Sequence, residues 1–123
     1  MRKVLSSLIN ACHGLIYCFK TQRNMSIHAF VGALVVIAGI LLRVPLPGML
    51  LLLTAIMVVL VAEAFNTAIE KTIDLYTKER NHLAQVAKDV AAGAVLMTAL
   101  FAIIVGLAVL GPPLWSIMRH ALL

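Results

Sequence analysis

The feature that most constrains this chain is an uncharged run of fifteen residues, 48–62, followed directly by the polar segment EAFNTAIEKTID at residues 63–74. Such a run is typical of a membrane-spanning helix. At about 100° per residue, one narrow stripe of that helix carries four polar side chains, those of Glu63, Asn66, Glu70 and Asp74. Ionisable groups within a span are costly and must face protein or water, so this stripe is the first candidate for a functional site.

Composition supports a membrane protein. The chain has 123 residues, of which 63% are hydrophobic and only 12% charged, which predicts a single all-α integral membrane domain over residues 1–123. The net charge of +5 suits anionic lipid or nucleotide phosphates. Nucleic acid is excluded as a partner because no basic cluster is interleaved with aromatic residues. Because three short helices shelter few polar groups, we expect self-association.

Four helices are predicted. Apolar residues share one arc of residues 3–20, which predicts an amphipathic helix on the membrane surface, the alternative being a helix packed on a protein core. Gly14 lies on its polar side, where it either has no special role or lets a ligand or another helix approach the backbone closely. After a polar connection at residues 20–28, transmembrane helices are predicted at about 25–44, 48–74 and 84–115, the last interrupted by Gly111, Pro112 and Pro113.

The distribution of Lys and Arg predicts the orientation of these spans. Eight lie on the side of the N-terminus and of the polar loop at residues 76–85, whereas Arg43 and Arg119 lie on the other. The N-terminus is therefore expected in the cytoplasm and the C-terminus outside. The open end of the polar stripe, the surface helix and the pair Lys88 and Asp89 then meet at the cytoplasmic interface.

The groups at that interface suit phosphate chemistry. Mg²⁺ takes one or two carboxylates together with substrate phosphates, and a lysine can hold phosphate charge. A partly desolvated carboxylate could accept a proton from a lipid hydroxyl. The glycine-rich phosphate-binding motifs of common nucleotide folds are absent from the sequence. The residues alone leave open an enzyme acting on lipid, a cation-coupled carrier using Glu63, and a structural stripe of interhelical contacts.

The segment EAFNTAIEKTID followed by AKDVAAGAVL resembles the signature of the prokaryotic diacylglycerol kinase family. Its pattern is Glu, two residues, Asn, three residues, Glu, three residues, Asp, then a later Lys-Asp. The positions that match it are Glu63, Asn66, Glu70, Asp74, Lys88 and Asp89. The likeness extends from about Ala11 to the end of the third span, and the segments RNMSIH and NTAIE look most like the undecaprenol kinase branch.

The resemblance implies a function in bacterial lipid metabolism. It implies a homotrimer in the inner membrane that uses ATP and Mg²⁺ to phosphorylate a lipid alcohol, preferably undecaprenol, with diacylglycerol as the alternative. Glu63 would accept the hydroxyl proton and Glu70 would bind metal. Phosphates and nucleotide would be positioned by Asn66, Lys88 and Asp89, with Asp74 organising the site and Gly14 as a further nucleotide contact.

One position departs from the family pattern. Gln22 stands in QRN where similar members read Glu-Arg-Asn, and that residue would be the second metal ligand. An amide keeps an oxygen but loses the charge, so we expect Mg²⁺ to bind more weakly here. Gln22 therefore also keeps open an inactive homologue that only binds nucleotide or lipid.

Overall fold

A computed structural model describes residues 2–122, so residues 1 and 123 of the predicted domain lie outside it. The described chain is all-α, as predicted, and consists of four helices. These are α1 (Arg2–Thr21), α2 (Arg23–Leu41), α3 (Leu46–Tyr76) and α4 (His82–Ala121). By length and composition, α2, α3 and α4 are each able to cross a membrane.

The three apolar helices differ in length. With 19 residues, α2 is about 28 Å long and just spans a hydrocarbon core. The 31 residues of α3 and the 40 of α4 reach about 46 and 60 Å. Both therefore extend beyond the hydrocarbon, and the polar end of α3 has room to leave the apolar layer.

Helix α3 lies at the centre of the fold, packed against α4 and α2. Its buried positions Leu52, Ala55 and Val59 recur every three to four residues, and Val105 of α4 joins them. Because a helix turns once in about 3.6 residues, these positions share one face. That face is the core of the subunit, while most other large apolar side chains of α2 to α4 are exposed, as expected next to lipid.

Two glycines allow α2 to approach α3. A Cβ atom added at Gly32 would lie 2.8 Å from Cγ2 of Ile56, and one added at Gly39 would lie 2.7 Å from Cε of Met49. Both glycines are buried. Small residues at such positions let membrane helices pack closely, where dispersion replaces the hydrophobic effect. The close packing of α2 therefore depends on Gly32 and Gly39.

The inward face of α4 contains several small residues. Ala91 is buried, and Ala84, Thr98 and Ala102 are half-buried, whereas Ala87 and Ala94 are exposed. The buried positions Ala91, Val95 and Val105 continue this face towards the far end of the helix. A mixed small and β-branched surface therefore packs on α3.

The connections are shorter than the sequence suggests. A single extended residue, Gln22, separates α1 from α2, so the polar connection predicted at 20–28 is wrong. Arg43 adopts the left-handed conformation (φ 52°) in the turn before α3, and the Val44 N–H donates to the Gly39 carbonyl at 2.9 Å. This hydrogen-bonding pattern satisfies backbone carbonyls that would otherwise lack a partner at the end of a helix.

The last helix begins early and continues far. Asn81 caps it, its Oδ1 accepting hydrogen bonds from the N–H groups of Leu83 (2.9 Å) and Ala84 (3.2 Å). The expected interruption at residues 111–113 is wrong, since α4 continues through Pro112 and Pro113 to Ala121. A proline pair removes two backbone donors, and helices in membranes tolerate such losses where local adjustments satisfy the freed carbonyls.

We predict that Gly32→Ala weakens the fold. Its new methyl group meets the stiff β-branched side chain of Ile56, so the free energy of unfolding should fall by about 1–3 kcal/mol. The matched control is Gly106→Ala, where nothing lies within 4 Å of the added atom. There the free energy should stay unchanged or rise by up to about 1 kcal/mol. Unfolding of both variants in detergent micelles measures the difference, and equal stabilities would contradict the packing of α2 on α3.

Candidate functional site

The buried face of α3 continues from the apolar core into the predicted polar stripe. Glu63 is 2% exposed and Asn66 7%, and Glu70 is half-buried one turn further on. Asp74 is exposed at the end of the helix. The structure therefore brings Glu63, Asn66 and Glu70 to the interior of the subunit and leaves Asp74 at its surface.

The hydrogen bonds within this stripe are incomplete. Asn66 Nδ2 donates to Glu70 Oε1 at 3.3 Å, and the hydroxyl of Thr67 donates to the main-chain carbonyl of Glu63 at 2.9 Å. Glu63 Oε2 and Asn66 Oδ1 are buried without a partner in the part of the chain described. Buried oxygens nearly always accept hydrogen bonds in stable proteins, so this pair marks a place where a ligand would complete the bonding.

A second group of polar side chains joins the ends of α3 and α4. Lys88 Nζ lies 2.6 Å from Asp74 Oδ1, and Gln85 Nε2 donates to Asp89 Oδ1 at 2.8 Å. With the loop between the helices, Asp74, Gln85 and Lys88 border a cleft of about 580 Å³, whose lining also includes Lys78 and Arg80. The cleft thus combines cations with hydrogen-bonding groups, which suits a phosphorylated ligand.

Gly14 and Gln22 lie apart from these groups. Gly14 is exposed on α1 and lines a cavity of about 560 Å³ between α1 and α3, opposite Thr67 and Lys71. A Cβ atom added at Gly14 would meet nothing within 4 Å, so packing within this chain does not require glycine at this position. Gln22 is half-buried at the junction of α1 and α2. No hydrogen bond found within residues 2–122 joins either residue to Glu70.

The part of the chain that the structure describes does not by itself form a complete metal site. Within residues 2–122, no three His, Cys, Asp or Glu side chains converge to hold a metal ion. The oxygens of Glu70 and the unpartnered Asn66 Oδ1 are nevertheless of the hard type that Mg²⁺ prefers. The donor set therefore fits a cation that takes its remaining ligands from substrate, water or another chain.

Three residues outside the predicted site contribute to its surroundings. Thr67 is 2% exposed and Met25 of α2 only 1%, and both lie beside the stripe or at its level. Gln85 holds Asp89 from one helical turn away. The spacing of Gln85 and Asp89 was a usable signal, because residues four apart on a helix face the same side. The burial of Met25 depends on how α2 packs against the other helices, so the local sequence could not predict it.

Comparisons with known proteins identify the family of this chain. The prokaryotic diacylglycerol kinase family matches residues 9–110. The chain belongs to this family. A protein of Synechocystis sp. described as diacylglycerol kinase is 43% identical over 116 residues, which are 94% of this chain and 66% of that protein. Undecaprenol kinase of Bacillus subtilis is 34% identical over 114 residues, 93% of each chain.

Membership confirms the resemblance seen in the sequence and makes the chain part of a family of membrane-bound lipid kinases. Such kinases transfer phosphate from a nucleotide donor. The matches to both relatives cover most of this chain. The chain spans slightly less than two thirds of the length of the Synechocystis protein. Similarity to both relatives leaves the lipid specificity, and with it the predicted undecaprenol kinase branch, as a proposal.

We predict that replacing the buried carboxylate stabilises the protein. Glu63→Met removes an oxygen that has no partner, so the free energy of unfolding should rise by about 1–3 kcal/mol. Glu79→Met, at an exposed carboxylate of the loop, is the control and should change it by less than about 0.5 kcal/mol. Unfolding of both variants in micelles tests this, and a destabilised Glu63→Met protein would show that the carboxylate is satisfied.

Proposed function

We propose that the chain transfers the γ-phosphate of ATP to the hydroxyl of a membrane lipid alcohol at the cytoplasmic interface. The observation that carries this proposal is the pair of unpartnered oxygens on Glu63 and Asn66, buried beside an apolar core. A buried acceptor next to apolar surface suits the hydroxyl of a lipid better than any water-soluble alcohol. Family membership also favours phosphate transfer over the cation-coupled carrier.

Glu63 is the proposed catalytic base. The lipid hydroxyl donates to its carboxylate, which removes the proton while the hydroxyl oxygen attacks the γ-phosphorus and ADP leaves. Burial of Glu63 keeps competing water away from this carboxylate. Hydrolysis of ATP would then be suppressed until the lipid occupies the site.

The cleft at the ends of α3 and α4 is the proposed nucleotide site. Lys88, directed at the cleft by its ion pair with Asp74, would bind the phosphates. Asp89, held by Gln85, would bind the nucleotide, and Asn66 would donate to the phosphates from the stripe. Gly14 lies apart from this cleft within one chain, so the backbone of α1 would approach the nucleotide there only from a neighbouring subunit.

Glu70 and Gln22 are the proposed Mg²⁺ ligands. When bound, the ion neutralises phosphate charge as the transferred group moves. Asn66 holds the Glu70 carboxylate in place through the 3.3 Å hydrogen bond. Gln22 would contribute a neutral oxygen, which weakens the attraction for Mg²⁺ relative to a glutamate.

We further propose a homotrimer in the bacterial inner membrane, with the N-terminus cytoplasmic and the C-terminus outside. Surface charge supports this orientation, because the cations of α1 and of the loop before α4 collect on one side. The apolar side chains of α1 are exposed, which suits a helix lying on the membrane. A second subunit would complete the metal ligands that one subunit does not bring together.

Undecaprenol is the preferred substrate, and diacylglycerol is the second candidate because the 43% identical relative is described as a diacylglycerol kinase. In mixed micelles, both lipids are offered with ATP carrying labelled γ-phosphate. We expect transfer to undecaprenol with the higher kcat/KM. Preferential labelling of diacylglycerol would reverse the order, and labelling of neither lipid would contradict the kinase proposal if Gln22→Glu is equally inactive.

The role of Glu63 predicts a specific defect. Glu63→Gln should lower kcat by at least about 100-fold, since a positioned base contributes that much or more. Nucleotide affinity should remain within about threefold, because the cleft is formed by other residues. Steady-state kinetics and titration with fluorescent ATP analogue measure the two effects. Turnover at the wild-type rate would remove Glu63 from this role.

The role of Gln22 predicts a gain of function. Gln22→Glu should lower the Mg²⁺ concentration needed for half-maximal transfer, because it adds a negative charge at the proposed metal site. Gln85→Glu, which adds the same charge near the nucleotide cleft instead, is the matched control and should not lower that concentration. If wild type is inactive but Gln22→Glu transfers phosphate, the natural chain is an inactive homologue.

A further inference from the structure

The two glycine contacts fix how α2 and α3 lie against each other. Gly32 faces Ile56, and Gly39 faces Met49. Seven residues forward along α2 therefore correspond to seven residues backward along the antiparallel α3. The same step in the other direction places Met25 opposite Glu63. The burial of both residues, at 1% and 2% exposure, agrees with this register.

His28 lies three residues after Met25, on the same side of α2 and about 4.5 Å along its axis. Side chains lean towards the N-terminus of their own helix. On α2 this direction leads from His28 towards the level of Glu63. On the antiparallel α3 it leads from Glu63 towards the level of His28, so the two side chains lean towards each other.

The surroundings of His28 make this pairing significant. His28 is half-buried, and it is the one polar residue that lines a groove of about 350 Å³ between α2, α3 and α4. The groove also contains Val59, one helical turn before Glu63. Oε2 of the Glu63 carboxylate has no hydrogen-bond partner within residues 2–122. A half-buried imidazole therefore lies about one helical turn from the level of that carboxylate.

We propose that His28 is a positioning residue that acts through Glu63, orienting its carboxylate and taking over the proton that it removes from the lipid. This inference rests on the proposed function. The lipid O–H bond breaks as its oxygen forms the new bond to phosphorus, and the proton passes to Glu63. It then moves to the neutral imidazole, which restores the carboxylate, and leaves as His28 releases it to water.

Other titratable groups lie near this level. Glu70 follows Glu63 by two turns on α3, and Lys71, Tyr17 and Cys18 line the cavity beside Thr67. On α4, the side chains described at this level are Val95 and Thr98, which do not titrate between pH 5 and 9. Compared with these groups, histidine is the residue type that ordinarily gains or loses its proton near neutral pH.

The test compares His28→Gln, which keeps an amide donor, with His28→Ala, which leaves space for free imidazole. Both should lower kcat by about 100-fold, the lower end for a positioned proton-transfer group, with KM for lipid and ATP unchanged. Imidazole in the buffer should restore turnover to His28→Ala.

His120→Gln, at the exposed end of α4, is the control and should keep wild-type kinetics. Infrared difference spectra with labelled glutamate should show a protonated Glu63 persisting after turnover in His28→Gln but not in wild type. Wild-type transfer with undiminished kcat in His28→Gln, or an effect on KM alone, would overturn this inference by itself. Absence of transfer by wild type and by Gln22→Glu would overturn the proposed function and this inference together.

Discussion

The free-energy cost of a carboxylate within an apolar helix governs how this subunit is built. Glu63 is 2% exposed, and its carboxylate lies on the face that buries Leu52, Ala55 and Val59. Lipid offers a carboxylate no hydrogen-bond donor, so this face must turn towards protein. Helix α3 therefore occupies the centre, with α2 and α4 against the same face and the apolar remainder directed to lipid.

The same helical face serves as both core and site, and this continuity fixes the geometry of the site. Positions 52, 59 and 66 follow one another in steps of seven, as do positions 49, 56, 63 and 70. Gly39 contacts Met49 and Gly32 contacts Ile56, so the second series also sets the register of α2. Residues of α2 near Glu63 are thus positioned by glycines two and four turns away, rather than by bonds within the site. The precision of the site comes from close backbone packing.

Local sequence was sufficient for the helices and for the polar stripe, because hydropathy and a spacing of three or four residues act within one element. Local sequence was insufficient where contacts between different helices determine the structure. Each span, and the four-residue stripe, lies within a single helix and is visible in its local sequence. The pairing of Asp74 with Lys88 instead joins two helices across a loop, between residues fourteen apart in sequence. The burial of Met25 likewise depends on Gly32 and Gly39, whose role appears only when α2 meets α3.

Helix boundaries failed for a different reason. Pro112 and Pro113 predict a break by their missing N–H groups, but α4 continues through both to Ala121. Gln22 alone separates α1 from α2, although polar residues on both sides suggested a longer connection. In both cases the composition of the segment indicated whether it prefers water or lipid. It did not indicate the backbone conformation, which stays helical because the neighbouring residues are helical. Asn81 shows the converse, since its capping side chain marks the start of α4 more accurately than hydropathy does.

The two polar centres are separated along α3 in a way that matches two substrates of opposite solubility. Glu63 lies among apolar residues, whereas Asp74, eleven residues later, is exposed beside the cleft. This separation is about 16 Å along the helix axis. In the proposed function, a lipid hydroxyl would reach the first centre without leaving the membrane, and a nucleotide would reach the second without entering it. Asn66 and Glu70 lie between them on the same face, joined by their own hydrogen bond. The transferred phosphate would then pass between the two centres beside these side chains, which agrees with the polar character of the middle of the stripe.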